Sequence, residues 1–141
     1  ATLPSMTGPS DAAFRGGHGV TLAAIARAHH FLGTELGVEV APAGLAWQRS
    51  REGRPDLGLF EYDMVRPNIL GTYLSASVLY ATIFERSPVG LPYRPVDMLP
   101  DSDILADLRQ EWEIADEDAE FLQRIAWETV KEYQAEHGVT Q

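Results

Sequence analysis

The stretch YDMVRPNILGTYLSASVLYATIFER, residues 62–86, joins a short polar turn to a long apolar run. The run from residue 68 to residue 86 is predicted to form a helix that is apolar on most of its circumference, which is typical of a buried helix. Pro67 suits the first turn of that helix, and Ser87 with Pro88 ends it. The stretch therefore predicts a buried helix with a defined start and end.

A helix followed at once by a strand precedes this stretch. Apolar residues recur at three- and four-residue steps over residues 21–36 and predict an amphipathic helix, which Gly37 ends. Residues 38–42, Val-Glu-Val-Ala-Pro, predict a short strand, and 57–62 is a possible second strand. The other predicted elements are an extended arm over residues 1–19 and helices over residues 45–51, 104–112 and 117–137.

One strand, or two, among so many helices raises a physical difficulty. The N–H and C=O groups of a lone buried strand have no partners, and each such group costs about 1–3 kcal/mol. We therefore expect the neighbouring strands to come from another protein chain, from the missing part of a longer precursor or from a homo-oligomer.

Composition and charge exclude several classes of protein. The length of 141 residues fits one domain, and the absence of cysteine excludes disulfides and thiolate metal sites. The net charge is −10, and thirteen of the 21 acidic residues lie from residue 97 onward, in a predicted acidic helical tail. With Lys131 as its single lysine, the chain is a poor nucleic-acid binder. No apolar run reaches the roughly 18 residues of a membrane span.

Four segments resemble one enzyme family. YDMVRPNILGTYLSA at 62–76 resembles the last signature block of SGNH (GDSL-type) hydrolases, in which Asp-x-x-His-Pro precedes a Gly-[Ser/Thr]-Tyr-Leu helix. VAPAGLAW at 40–47, YATIFERSPVG at 80–90 and LQRIAWETV at 122–130 are similar to flanking parts of a bacterial branch. The resemblance implies an α/β fold, with residues 20–137 as the C-terminal part of a three-layer α/β/α domain that is mostly helical on its own and contributes the last strand.

The resemblance also implies which residues would carry chemistry. In the family a serine attacks an ester, a histidine takes its proton and the aspartate orients the histidine. Asp63 and Arg66 mark this Asp-x-x-His position, and Arg66 replaces the histidine. A guanidinium cannot accept a proton at physiological pH. No Gly-Asp-Ser-type block precedes the motif, so we expect the nucleophile to be missing. Asp63 and Arg66 are then expected to form an ion pair, or Arg66 to hold an anion or a partner's carboxylate.

No other residue is a convincing catalytic, metal-binding or sugar-binding candidate. Histidine has the right chemistry for a base or a ligand, but the four histidines lack suitable neighbours in sequence and are read as structural or surface residues. The serines on the central helix are read as packing residues and the tryptophans as core or interface residues. The acidic run 97–120 lacks calcium-loop spacing and is read as a solvated face. These candidates are His18, His29, His30, His137, Ser75, Ser77, Trp47, Trp112 and Trp127.

The sequence thus predicts a non-catalytic structural or interaction subunit, derived from an SGNH hydrolase, that docks onto a larger assembly. The alternative is one chain or fragment of a serine esterase or deacetylase whose serine-bearing half is elsewhere. No cofactor and no metal are expected. The compartment is left open, although a chain that starts at alanine and the secreted members of the family favour a periplasmic or extracellular location.

Overall fold

Four helices make up the regular structure of the described part of the chain. The computed structural model describes residues 18–92 and 113–138. Its helices are α1 (His18–Leu36), α2 (Ala43–Gly53), α3 (Ile69–Phe84) and α4 (Asp116–His137). The predicted helices over 21–36, 45–51, 68–86 and 117–137 correspond to these four. The predicted helix over 104–112 and most of the predicted arm lie outside the described residues, although residues 18 and 19 of that arm begin α1.

The predicted α/β fold is wrong. Residues 18–92 and 113–138 contain no β-strand, and their only β-type pairing is an isolated antiparallel bridge between Phe60 and Pro67. The predicted strand at 38–42 is instead a connection between two helices. Val38 donates its N–H to the carbonyl of Gly33, which ends α1, and Ala43 donates to the carbonyl of Ala41 in a turn that leads into α2. These local bonds use the N–H of Val38 and the carbonyl of Ala41, two of the groups that a sheet would pair.

This correction removes one reason for a partner. A buried lone strand would need neighbouring strands from elsewhere, whereas each helix closes its backbone hydrogen bonds within itself. A partner that completes a sheet is therefore not needed.

Helix α4 is the element against which α2 and α3 pack. Tyr73 near the start of α3 is hydrogen-bonded to Gln123 in the first half of α4. Near the end of α3, Thr82 lines the same surface cleft as Val130, which lies in the second half of α4. Helices α3 and α4 therefore run parallel. Arg49 on α2 forms an ion pair with Glu132 near the end of α4, and Arg54, which follows α2, forms one with Asp118 at the start of α4. Helix α2 therefore runs antiparallel to α4. The core between these helices consists of Ala41, Ala43, Ala46, Trp47, Leu57, Leu59, Leu74, Val78, Ala81, Leu122, Ile125, Ala126 and Val130.

Helix α3 is buried on one side only, which differs from the expectation of a fully buried helix. Leu74 and Val78 face the core, whereas Ile83 is 64% exposed and Leu79 and Phe84 are also exposed. The physical reason is that α2 and α4 both pack on the same half of α3. The apolar stripe predicted for α1 has a similar outcome, since Leu22 is buried but Phe31, Leu32 and Leu36 are exposed.

A buried amide joins α3, α4 and the turn after α3. The side chain of Gln123 is 3% exposed. Its amide nitrogen donates to the Tyr73 hydroxyl at 2.5 Å and to the Leu91 carbonyl at 2.9 Å, and its oxygen accepts the N–H of Gly90 at 2.9 Å. Each polar atom of this buried side chain is therefore bonded, which satisfies the requirement for burying an amide.

One buried hydroxyl, in contrast, has no partner among the described residues. Ser50 on α2 is fully buried and its Oγ makes no hydrogen bond there. A buried hydroxyl without a partner keeps its desolvation cost.

We expect Ser50→Ala to raise the free energy of unfolding by about 1 kcal/mol, as measured by urea denaturation. A matched change of a bonded buried hydroxyl, Thr129→Val, should not raise stability, because Thr129 donates to the Ile125 carbonyl at 2.7 Å. A destabilised Ser50→Ala variant would contradict this.

Candidate functional site

The turn that contains Asp63 and Arg66 is an ordered loop that projects from the start of α3. An antiparallel bridge between Phe60 and Pro67 closes its base. Above the bridge, Glu61 donates its N–H to the carbonyl of Arg66 at 2.8 Å, and Met64 donates to the carbonyl of Glu61 at 2.9 Å. We call residues 60–67 the 60–67 loop.

Asn68 fixes this loop to the helix that follows it. The Asn68 side chain caps α3 by accepting the N–H of Gly71 at 3.0 Å, as asparagine commonly does at a helix start. Its amide nitrogen donates to the carbonyls of Gly58 at 2.9 Å and Phe60 at 3.3 Å. One side chain therefore sets both the start of α3 and the position of the loop.

Asp63 and Arg66 form an ion pair within the loop. Arg66 Nε donates to Asp63 Oδ2 at 2.7 Å, while Asp63 Oδ1 accepts the backbone N–H groups of Val65 and Arg66, both at 3.0 Å. The backbone N–H groups, followed by the Arg66 side chain, lower the pKa of Asp63 to about 2. The same contact raises the pKa of Arg66 above its ordinary value. Near neutral pH the Arg66 guanidinium is protonated and cannot accept a proton, and the ionised Asp63 carboxylate is a weaker base than an ordinary aspartate.

The tip of the 60–67 loop exposes large apolar side chains. Tyr62 is 102% exposed, Met64 is 51% exposed and Val65 is also exposed. Met64 has φ 55°, a left-handed conformation that side-chain-bearing residues rarely adopt. Backbone conformations of this kind persist where the surrounding bonds impose them, and they occur most often at binding and catalytic sites.

The hydroxyl of Ser75 is hydrogen-bonded within the fold, and Ser77 is buried. Ser75 Oγ donates to the carbonyl of Gly71 and accepts the indole N–H of Trp47, both at 3.0 Å. Ser77 is buried on the face of α3 that contacts the core. Both serines therefore take part in packing, and neither hydroxyl bonds to a histidine within residues 18–92 and 113–138.

Two histidines that are distant in sequence meet in the fold. The rings of His30 on α1 and His137 on α4 lie with their centroids 4.1 Å apart, and Tyr133 stacks on His137 at 4.3 Å. The Tyr133 hydroxyl lies 3.3 Å from His30 Nδ1. These rings border a cleft of about 330 Å³ between the ends of the two helices. Sequence reasoning missed this cluster because 107 positions separate the two histidines (137 − 30) and no spacing pattern links them.

The other candidates occupy ordinary structural positions. His18 is the first residue of α1, and His29 Nδ1 lies 2.9 Å from the Ile25 carbonyl. Trp47 is buried in the core, Trp127 is half-buried, and Trp112 lies outside the described residues. Of the acidic run, residues 97–112 also lie outside, and Asp116, Glu117 and Asp118 form the first turn of α4.

Within residues 18–92 and 113–138, no three histidine or carboxylate side chains are arranged to hold a metal ion. None of the helices described is both long and apolar enough to cross a lipid bilayer.

Comparison with known proteins returned no match to a family model, a curated protein or a solved structure. The resemblance of residues 62–76 to the SGNH block stays a prediction from the sequence alone.

The Asp63 titration offers a direct check of the loop. Because the pKa of Asp63 is lowered to about 2 from 3.8, ionised Asp63 stabilises the loop fully above pH 3.8, and this contribution disappears as the pH falls through about 2. In Arg66→Gln we expect the midpoint to rise but to stay below 3.8, because the backbone N–H donors remain. Carbon-13 NMR of the Asp63 carboxyl measures both midpoints. A wild-type midpoint at the ordinary aspartate value would contradict the loop geometry.

Proposed function

We propose that this chain is a non-catalytic interaction subunit that binds a partner protein through the 60–67 loop. The observation that carries the proposal is the tip of that loop, where Tyr62 is fully exposed. The neighbouring backbone is fixed because the N–H groups of Val65 and Arg66 donate to the Asp63 carboxylate. Tyrosine combines a large contact area with few rotatable bonds and is enriched among the residues that dominate binding energy.

The order of the loop supports binding by lowering its entropic cost. Ordering a flexible segment on association consumes interaction energy, so a loop that is already fixed binds more tightly with the same contacts. Asn68 fixes the loop base, and the Asp63–Arg66 pair fixes its tip. Met64 has a left-handed backbone within this loop, and Tyr62, Met64 and Val65 are all exposed.

The charge of the chain supports one kind of partner. With a net charge of −10, a second copy is electrostatically disfavoured, whereas a basic protein surface is attracted. We therefore propose a partner that carries a net positive charge and has an apolar pocket for Tyr62.

The absence of catalysis is supported by the chemistry of the motif. The resemblance to the SGNH block puts Arg66 at the position of the proton acceptor. In the fold Arg66 is paired with Asp63, and Ser75 Oγ is bonded to Trp47 and Gly71. Arg66→His alone should therefore give no serine-dependent hydrolysis of p-nitrophenyl acetate. Turnover in that variant, abolished by Ser75→Ala, would overturn the non-catalytic assignment.

The docking proposal is tested by photo-crosslinking and then by affinity. p-Benzoylphenylalanine at position 62 should crosslink one protein in extracts of the native cells, and the same group at position 51, exposed on α2, should not. The identified protein is then purified and titrated with the wild-type chain. We expect Tyr62→Ser to weaken the affinity at least about tenfold.

The control removes another exposed aromatic residue, on a different helix. Phe31→Ser, on α1, should leave the affinity unchanged, and Asp63→Ala should weaken it because the loop loses its order. Affinities equal in wild-type and Tyr62→Ser would overturn the proposal. A crosslink between two copies of this chain would replace the basic partner with a homo-oligomer.

A further inference from the structure

The cleft between the C-terminal ends of α1 and α4 has the dimensions of a small ligand site. Its volume of about 330 Å³ falls at the lower end of the range for ligand pockets in proteins. Its floor is apolar and includes Val40, Pro42 and Val130, and its wall includes the rings of Tyr133 and His137. Small-molecule sites commonly combine such an apolar lining with a few polar groups that fix the ligand.

The electrostatics of the cleft favour a positive charge. The residues that follow the last turns of α1 and α4, Gly37 and Gly138, both line the cleft. A helix C-terminus carries about half a negative charge, so two of them converge here. The acidic residue Glu39 also lines the cleft, and the described lining residues include no lysine or arginine.

The aromatic wall adds a second attraction for a cation. The face of a tyrosine ring attracts an ammonium group that lies within about 6 Å of the ring centroid, and Tyr133 lines the cleft. The rings of Tyr133 and His137 are stacked at 4.3 Å with 24° between their planes, and that of His30 lies 4.1 Å from His137. The pair of helix ends therefore meets a compact group of three rings.

The hydrogen bonding of His137 also suits an ammonium donor. His137 Nδ1 lies 2.9 Å from the carbonyl of Tyr133, and a carbonyl only accepts, so Nδ1 carries the proton. In the neutral ring Nε2 is then an acceptor. We propose that this cleft binds a small organic cation, an ammonium group on an apolar body.

The test compares three probes of similar size and different charge. Phenethylammonium, phenethyl alcohol and phenylacetate are titrated into the 141-residue chain at about pH 8, where histidine side chains are ordinarily neutral. Binding is followed by amide NMR. We expect phenethylammonium to bind at least about tenfold more tightly than the alcohol, and phenylacetate to bind least. Amides of Val40 and Gly138 should shift, and that of Gly90, bonded to Gln123, should not.

Two charge-matched variants separate the site from the overall charge. Glu39 lines the cleft, whereas Glu35 is exposed on α1 and does not. Glu39→Gln should weaken phenethylammonium about three- to tenfold, and Glu35→Gln should leave it unchanged. Three results would each overturn the proposal. They are equal effects of the two variants, equal binding of the three probes, and no binding of phenethylammonium at concentrations up to about 10 mM.

Discussion

Gly71→Ala is expected to lower the free energy of unfolding by at least about 3 kcal/mol, the upper part of the range for overpacked cores. A Cβ at position 71 would overlap the backbone carbonyl oxygen of Leu59 and would lie 2.7 Å from the ring of Trp47. The Leu59 carbonyl also accepts the N–H of Asn68 at 3.0 Å, so it cannot move away without breaking the start of α3. Alanine is ordinarily the better helix former by about 1 kcal/mol, so helix propensity alone predicts the opposite sign.

The control for this variant is another glycine beside the same loop. A Cβ at Gly58 would meet nothing within 4 Å, so Gly58→Ala should change stability by less than about 0.5 kcal/mol. Both variants are compared by urea denaturation followed by circular dichroism. If Gly71→Ala proves as stable as the wild type, the close approach of α3 to the 57–60 segment is wrong.

Trp47→Ala should cost about 4 kcal/mol, the range observed when large aromatic residues are truncated in cores. Trp47 is buried between α2 and α3, its ring meets Phe60 edge-on at 4.8 Å between centroids, and its indole N–H donates to Ser75 at 3.0 Å. The truncation leaves a cavity beneath the 60–67 loop. It also removes the indole N–H that donates to Ser75 Oγ, so the cost of the lost hydrogen bond adds to that of the cavity.

Trp127→Ala is the matched control for this truncation. Trp127 is half-buried at the edge of the core, and Lys131 Nζ lies 5.7 Å from its ring centroid. We expect a loss of about 1–2 kcal/mol, since less apolar area is removed from the interior. A cost for Trp127→Ala equal to or above that of Trp47→Ala would mean that the core is centred elsewhere.

Helices were predictable from the sequence, and their arrangement was not. The apolar periodicity of α4, with glycine at residue 138 after it, located that helix within one residue of its observed start. The segment 38–42 misled the prediction because Val-Glu-Val alternates as a strand does, yet five residues between two helices form a linker equally well. The decision depends on whether a neighbouring strand exists, which local sequence does not encode.

The candidate site shows the same limit. The spacing of Asp63 and Arg66 was enough to predict an ion pair as one of two alternatives. Two residues that are three positions apart in one turn can place a carboxylate beside a guanidinium. The burial of α3 was overestimated because composition does not specify how many neighbours a helix has. The cluster of His30, Tyr133 and His137 depends on the packing of α1 beside α4, and its residues gave no signal in sequence.

The buried amide of Gln123 has a consequence for slow motions of the protein. Gly90 lies outside any helix, yet its N–H is bonded to a side chain that is almost completely enclosed between α3 and α4. A backbone N–H exchanges its proton with solvent only when its hydrogen bond opens, so this one can exchange only when the contact with α4 is lost. Its protection against deuterium should resemble that of the helix interiors, and this single amide would report how often α3 and α4 separate.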